Sequence, residues 1–309
     1  MSHPSFGGHP SFGGVPLVLG GNVFGFTADE DASFAVLDRF YEAGGRMVDT
    51  AQGYSAWVPG HVGGESEAVI GRWMAARGVR ADMRIATKTG MAGNPGALAP
   101  AKVRAELGKS LARLQTDYVD LYYAHDDEPL TPQAEVSAGF GALLSEGLVR
   151  ELGVSNFSLE RLSGLNAAGE ARFTVLQNEY NLVLRSAFAP DLREYCDAQG
   201  IAHYPWMGLA AGFLTGKYRT PDDLKKFNRG SSVARFFDEG LAVLPVLDAV
   251  AAEAGASLGA VALSWLRLQH GITAPIASAS RPEQLDVHFE ALALELTENQ
   301  RARLTAAGT

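Results

Sequence analysis

Four residues of this chain have side chains that could move a proton together: Asp49, Tyr54, Lys88 and His125. Asp49, Lys88 and His125 end short apolar stretches that are typical of β-strands, and Tyr54 lies one turn beyond Asp49. A free tyrosine phenol, with a pKa of about 10, exchanges protons poorly at neutral pH. A buried ammonium within hydrogen-bonding distance would favour the phenolate and lower that pKa.

The carboxylate and the imidazole complete this chemistry. A carboxylate paired with Lys88 would keep the lysine charged and oriented, and a neutral histidine could donate a hydrogen bond to a carbonyl oxygen. We therefore predict a proton relay that turns a carbonyl into an alcohol, with the hydride supplied by a cofactor.

Each of the four residues also has a structural interpretation. Asp49 could cap a helix or form an ion pair with Lys88, Tyr54 could pack, and His125 could be an ordinary half-buried histidine. Their joint occurrence at neighbouring strand ends weakens that interpretation. A lyase or isomerase with a Schiff base on Lys88 remains a third hypothesis, but it is disfavoured because an amine nucleophile must be deprotonated and Lys88 has a carboxylate partner.

The elements that must position these residues alternate along the chain. Eight strand-like stretches are predicted at Leu17–Gly21, Arg46–Thr50, Arg84–Lys88, Val119–His125, Glu151–Ser155, Thr174–Asn178, Ile201–Trp206 and Ile272–Ala277. Amphipathic helical patterns separate them, and two further helices are predicted at Glu283–Ala293 and Glu298–Ala306. Strands that are apolar on both faces and covered by helices indicate a parallel sheet, and eight repeats predict an α/β protein with a (β/α)8 TIM barrel.

Three features concern domain organisation. Lys217–Gly240, between the last two strands, is a long polar stretch and is predicted to form a lid or binding loop. The hexapeptide His-Pro-Ser-Phe-Gly-Gly occurs at 3–8 and again at 9–14, and it is either a short hairpin, which we favour, or a frayed arm. No change in composition divides the chain, so we predict one domain over residues 1–309.

Composition excludes several classes of protein. The chain has 309 residues with 26 Lys and Arg against 35 Asp and Glu, a net charge of −9, which argues against nucleic-acid binding. No apolar stretch is long enough to span a membrane, no secretory signal is visible, and the single cysteine suits a reducing compartment, so we expect a cytoplasmic protein. Neither zinc-ligand spacing nor a nucleophile elbow occurs, so we expect no metal and no hydrolase chemistry.

Seven motifs in order resemble those of the aldo-keto reductase family. They are Asp49-Thr50-Ala51 with Tyr54 followed by Gly63-Gly64-Glu65-Ser66-Glu67, then Ala86-Thr87-Lys88, Tyr122-Tyr123-Ala124-His125, Gly153-Val154-Ser155-Asn156-Phe157, Gln177-Asn178-Glu179-Tyr180-Asn181 and Gly212-Phe213-Leu214-Thr215-Gly216-Lys217-Tyr218. This resemblance implies that Tyr54 is the general acid, that Lys88 and Asp49 tune its pKa, and that His125 polarises the carbonyl.

The resemblance also implies NADPH as the cofactor, bound without a Rossmann fold, with NAD(H) still open. It places the carboxamide at Ser155, Asn156 and Gln177, the nicotinamide ring on Trp206, and the pyrophosphate near Leu209, Gly212 and Lys217. It places the adenosine phosphate at Ser280, Arg281, Gln284 and His288, where the planar fork of Arg281 could bind a 2′-phosphate. The chain departs from the family at Trp206, at Ala277-Ser278 and at His288, where a tyrosine, Pro-Gly and an asparagine are usual.

The substrate side is less informative. Phe24 and Trp57 are the predicted substrate contacts, and the other aromatics near the barrel mouth are Phe157, Phe236 and Phe237. We expect a small-molecule aldehyde or ketone, including sugar-like ones. A nicotinamide-binding regulatory or partner protein with little turnover is the alternative, and the oligomeric state is left open.

Overall fold

Eight parallel strands form the centre of the molecule. A computed structural model describes residues 15–91, 94–169, 171–227 and 230–308. The strands are β1 (Val18–Gly20), β2 (Met47–Asp49), β3 (Arg84–Thr89), β4 (Leu121–Ala124), β5 (Leu152–Ser155), β6 (Phe173–Gln177), β7 (Ala202–His203) and β8 (Ile276–Ala277). Their order in the sheet is β7-β6-β5-β4-β3-β2-β1-β8, so chain neighbours pair and β8 joins β1.

The two ends of the sheet are linked by backbone hydrogen bonds. The carbonyl of His203 accepts from the amide of Thr273, and that of Pro205 accepts from the amide of Ile276, at 2.9 Å each. These bonds bring β7 against the segment that leads into β8. The predicted (β/α)8 barrel is confirmed.

Helices surround the strands. They are α1 (Glu30–Glu42), α2 (Glu65–Arg77), α3 (Pro100–Leu114), α4 (Gln133–Ser145), α5 (Leu159–Ala167), α6 (Pro190–Gln199), α7 (Asp223–Lys226), α8 (Gly230–Val233), α9 (Phe237–Ala254), α10 (Leu258–Arg267), α11 (Leu285–Ala293) and α12 (Glu298–Ala307). N-cap side chains fix where two of these helices begin. At α1 the Asp29 carboxylate accepts from the Ala32 amide at 2.9 Å, and at α12 Thr297 forms a capping box with Gln300. The two predicted C-terminal helices are α11 and α12.

The strands bury both faces, and this explains their uninterrupted apolar sequences. Outward residues such as Val48, Ile85 and Tyr122 pack under the helices. Inward residues form a second core inside the barrel, including Met47, Ala86, Tyr123 and Val175. Side chains two residues apart share a face of a strand. The polar residues two positions beyond those four inward residues therefore also face the interior, at the barrel mouth: Asp49, Lys88, His125 and Gln177.

The last two strands are shorter than predicted. Both are two residues long. Pro205 lies two residues beyond β7, and Pro275 lies immediately before β8. Proline has no amide hydrogen to donate, so the run of backbone hydrogen bonds between strands stops near each proline and the strands stay short.

The stretch Lys217–Gly240, hereafter the β7–β8 segment, contains more helix than the sequence predicted. It includes α7, α8 and the first turn of α9, which begins at Phe237. The duplicated N-terminal hexapeptide lies outside the described residues.

Within the described ranges, no single helix is long and apolar enough to cross a membrane. One pair of helical segments, Gly230–Ala254 with Leu258–Arg267, is together long and apolar enough, but the chain bends by 95° between the two segments.

Candidate active site

A buried ion pair lies at the carboxyl ends of β2 and β3. The Lys88 ammonium and the Asp49 carboxylate are 0% and 2% exposed, and Lys88 Nζ donates to Asp49 Oδ1. The same nitrogen donates to the Thr50 carbonyl oxygen at 2.8 Å and to Tyr54 Oη at 2.9 Å. The predicted contact between the lysine and the phenol is therefore present.

A turn after β2 carries Tyr54 back over this pair. The Tyr54 amide donates to the Ala51 carbonyl at 3.1 Å, and Ser55 adopts a left-handed φ of 72°. The phenol oxygen lies 3.4 Å from Asp49 Oδ1, so it contacts both members of the ion pair.

The pKa of Tyr54 moves opposite to the sequence-based expectation. Burial raises it well above its ordinary range, and the nearby Asp49 carboxylate raises it further. The predicted net lowering is therefore wrong for this arrangement, because burial, the largest cause, and the Asp49 carboxylate both raise the pKa. Burial also lowers the pKa of Lys88, while the contact with Asp49 opposes that change. The phenol keeps its proton at neutral pH.

His125 faces Tyr54 across the barrel mouth. Their rings meet edge to face, with centroids 5.9 Å apart and an interplanar angle of 75°. Burial, and secondarily the Lys88 charge, holds the pKa of His125 well below its usual range. Its imidazole is therefore neutral at neutral pH, and its Nδ1 has no hydrogen-bond partner among the described residues.

Three further predicted residues end β5 and β6 beside this group. Ser155 pairs with Gln177 in the strand register. Gln177 Nε2 donates to Asp49 Oδ2 at 2.9 Å, and both residues are buried. Asn156 adopts a left-handed φ of 61°, which asparagine tolerates better than most residues.

A cavity of about 760 Å³ connects these residues to the opposite rim of the barrel. We call the part lined by Asp49, Tyr54 and His125 its inner end, and the part lined by Arg281, Gln284 and His288 its outer end. Every cofactor-binding residue predicted from the sequence lines this one cavity: Ser155, Asn156, Gln177, Trp206, Leu209, Gly212, Lys217, Ser280, Arg281, Gln284 and His288.

The wall between the two ends comes from the loop after β7. Ala210, Ala211 and Gly212 have φ of 47°, 57° and 97°, an uncommon left-handed succession. A Cβ built on Gly212 would lie 3.7 Å from Lys217 Nζ, so the lysine amine approaches this backbone closely. Trp206 Nε1 is buried and has no hydrogen-bond partner among the described residues.

The outer end is held by side chains that follow β8. The Ser280 amide donates to Gln284 Oε1 at 2.7 Å, and the Ser280 and Thr27 hydroxyls are 2.8 Å apart. Arg281 is exposed. Burial lowers the pKa of His288 to about 4, and its Nδ1 has no partner among the described residues.

The two predicted substrate contacts differ. Trp57 is 51% exposed, lines the cavity and meets the Tyr54 ring at 6.2 Å. Phe24 is 0% exposed and packs in the core, so its placement in a substrate pocket is wrong. Phe157, Phe236 and Phe237 are also core residues. Aromatic type alone does not separate rim from core positions.

Sequence reasoning missed some lining residues. Asn22 and Thr27 follow β1, and Phe227 lies in the β7–β8 segment. The rule that active sites lie at the carboxyl ends of barrel strands could have found the first two, because they follow a strand in that direction.

Comparisons with known proteins bear on the family to which the chain belongs. The model of the Aldo/keto reductase family matches residues 16–308. The chain is 31% identical over 297 residues to an aryl-alcohol dehydrogenase [NADP(+)] of Phanerodontia chrysosporium, covering 89% of this chain and 75% of that protein. It is 30% identical over 302 residues to an aryl-alcohol dehydrogenase of Pestalotiopsis microspora (91% and 76% covered) and over 312 residues to norsolorinic acid reductase B of Aspergillus parasiticus (92% and 78%).

Among solved structures, the chain resembles a thermostable aldo-keto reductase crystallised with the inhibitor epalrestat. The TM-score is 0.77 at 25% identity, and the match covers 95% of each chain. The match to the family model over nearly the whole chain settles the relationship: this protein belongs to the aldo/keto reductase family.

Proposed function

We propose that this chain, an oxidoreductase, reduces the carbonyl group of aldehydes or ketones to an alcohol with NADPH, acting as one barrel domain over residues 1–309. One observation carries the proposal. The Tyr54 phenol, 2.9 Å from the buried Lys88 ammonium, stands at the inner end of a cavity whose outer end carries Arg281.

The cavity suits a nicotinamide dinucleotide. Trp206 and His288 line it with buried ring nitrogens that have no hydrogen-bond partner among the described residues. Buried polar atoms of this kind normally have a partner, and a polar ligand would supply one. Lys217 and Arg281 bring positive charge to the same wall, which suits phosphate groups.

The residues divide among the parts of the cofactor. Ser155, Asn156 and Gln177 would hold the carboxamide, and Trp206 would stack on the ring. Leu209, Gly212 and Lys217 would meet the pyrophosphate. Ser280 and Arg281 would hold the 2′-phosphate, and Gln284 and His288 the adenine.

When bound, the cofactor supplies a hydride to the carbonyl carbon. Tyr54 then donates its proton to the carbonyl oxygen, which completes the alcohol. Its raised pKa keeps the proton on the phenol until the reaction begins. Lys88 stabilises the phenolate left behind, and Asp49 holds the lysine in place. The neutral His125 ring orients the carbonyl oxygen by donating a hydrogen bond.

The relatives' names and one rim residue support aromatic carbonyl compounds as substrates. Two of the relatives are named aryl-alcohol dehydrogenases. Trp57, half exposed beside Tyr54, offers an indole face against which a planar ring can pack.

Replacing Tyr54 by phenylalanine tests the assignment. Tyr54→Phe removes the proton donor and retains the ring, so kcat should fall about 10²–10⁴-fold, the usual contribution of a general acid. The Kd for NADPH should stay the same. Turnover is measured as NADPH absorbance with aryl, aliphatic and sugar aldehydes, and binding by tryptophan fluorescence.

Tyr195→Phe provides the matched control, because this tyrosine lies on α6 and does not line the cavity. It should behave as wild type. Near-normal turnover of Tyr54→Phe would overturn the proposal.

A further inference from the structure

Two side-chain amides at the inner end each turn their nitrogen toward a carboxylate. Gln177 Nε2 donates to Asp49 Oδ2 at 2.9 Å, and Asn156 Nδ2 donates to Asp126 Oδ1 at 2.7 Å. Asn156 Nδ2 also donates to the His125 carbonyl oxygen at 3.2 Å. Carboxylate and carbonyl oxygens can only accept. The partners of both amides therefore fix which way the amides point.

The amide oxygens are consequently the atoms left for a ligand. Asn156 and Gln177 both line the cavity, and they adjoin one another, because the Asn156 backbone amide donates to the Gln177 carbonyl at 3.3 Å. If the Asn156 amide were flipped, its oxygen would face the Asp126 carboxylate and the His125 carbonyl. All three groups are acceptors, so no hydrogen bond could form among them. Such an arrangement loses two hydrogen bonds and adds repulsion.

We propose that Asp126 is a positioning residue, which orients the Asn156 amide so that Asn156 and Gln177 present paired acceptor oxygens to the NH₂ group of the cofactor carboxamide. The inference rests on the proposed function. Asp126 does not line the cavity, so it acts through Asn156. Gln177 is oriented in the same way by Asp49, which already belongs to the catalytic group.

Turnover is a poor readout for this role. The Asp126 charge also contributes to the raised pKa of Tyr54, so a change in kcat would mix two effects. Binding of two dinucleotides separates them. The probes are NADP⁺ and its 3-acetylpyridine analogue, in which a methyl group replaces the carboxamide NH₂ and cannot donate.

Wild type should bind NADP⁺ more tightly than the analogue, measured by tryptophan fluorescence. Asp126→Asn offers Asn156 both a donor and an acceptor, so only the longer hydrogen bond to the His125 carbonyl still orients the amide. The preference for NADP⁺ should fall about 5–10-fold, the loss of one modest hydrogen bond, while the Kd for the analogue stays unchanged. Asp126→Glu, which restores a carboxylate, should recover part of the preference.

Asp127→Asn is the matched control, because that neighbouring carboxylate pairs with Arg161 at 2.8 Å. It should keep the wild-type preference. An unchanged preference in Asp126→Asn would overturn the inference, and so would an equal rise of both Kd values, which indicates general damage. If the wild-type enzyme reduces carbonyls but binds NADP⁺ no more tightly than the analogue, the inference is wrong and the proposed function stands. A wild-type chain that binds neither dinucleotide would remove the proposed function as well.

Discussion

The two ends of the cavity differ in how their charges are held. At the inner end, Lys88 and Asp49 are almost completely buried, and each has several hydrogen-bond partners. At the outer end Arg281 is exposed, and so is Lys217 in the wall between the two ends; both lie on loops rather than on strand ends. Lys226, which also lines the cavity, forms an i,i+3 ion pair with Asp223.

This difference suits the inner end to proton transfer and the exposed cations to binding the cofactor. A buried, fully bonded group keeps its geometry before the substrate arrives, which is what proton transfer requires. An exposed cation on a loop is screened by solvent and contributes to binding phosphate more than to chemistry. Substitutions at the inner end should therefore change kcat and stability, and those at the outer end should change cofactor Kd.

Lys88→Met should have the largest effect. It leaves the Asp49 carboxylate buried without its cation, a change that typically costs about 3–5 kcal/mol in the free energy of unfolding. Reduction should also be abolished. Stability is measured by urea denaturation and activity by NADPH absorbance.

The double variant Asp49→Asn/Lys88→Met should regain most of the stability and none of the activity. A single variant as stable as wild type would show that the inner end is wetter than the structure indicates.

His203→Gln measures how dry the core around β7 is. His203 is fully buried on β7, packs on Phe188 with ring centroids 3.8 Å apart, and its pKa is lowered by burial to about 3. An unfolded histidine has a pKa of about 6.5. Below that pH the unfolded chain takes up a proton that the folded chain does not, so stability is full above about 6.5 and falls toward pH 3.

By linkage, wild type should lose about 2 kcal/mol between pH 7.5 and pH 5 through this group. His203→Gln retains an acceptor for the Asn178 amide and does not titrate. Its free energy of unfolding should therefore fall less over that interval, as measured by denaturation at both values. Equal losses in the two proteins would contradict a dry core around β7.

Arg281→Ala should have the smallest effect, because its guanidinium is exposed. The Kd for NADPH should rise about 10-fold, or about 1.4 kcal/mol, through the loss of a charge-assisted contact to the 2′-phosphate. The Kd for NADH should not change. Lys225→Ala is the control, since Lys225 is an 82% exposed cation that does not line the cavity. Equal losses for NADPH and NADH would refute a 2′-phosphate role.

The sequence predicted the barrel and the meeting of Asp49 and Lys88 at one edge of it, for one physical reason. Both depend on a period of two along each strand, which carries Asp49 and Lys88 inward two residues after Met47 and Ala86. Because parallel strands place their carboxyl ends at one edge, residues far apart in the chain could be expected to meet.

Other features depend on three-dimensional context that spacing does not encode. The direction of the pKa shift of Tyr54 depends on how deeply the phenol is buried and on how close the Asp49 carboxylate lies, and spacing along the chain gives neither. Phe24 and Trp57 are both aromatic residues in mouth loops, yet one is in the core and the other half exposed. The helices of the β7–β8 segment are short, and tertiary contacts rather than intrinsic propensity decide whether such helices form.

The hydrogen bond from Gln177 to Asp49 joins residues 128 positions apart. The inner end is therefore assembled only when β2, β3 and β6 are all in place, and it must be lost together with the fold. The i,i+3 ion pairs of the β7–β8 segment close within a single turn and can loosen while the barrel stays intact. On mild heating, the affinity for the dinucleotide should therefore fall before the contact between the Tyr54 phenol and the Lys88 ammonium is lost.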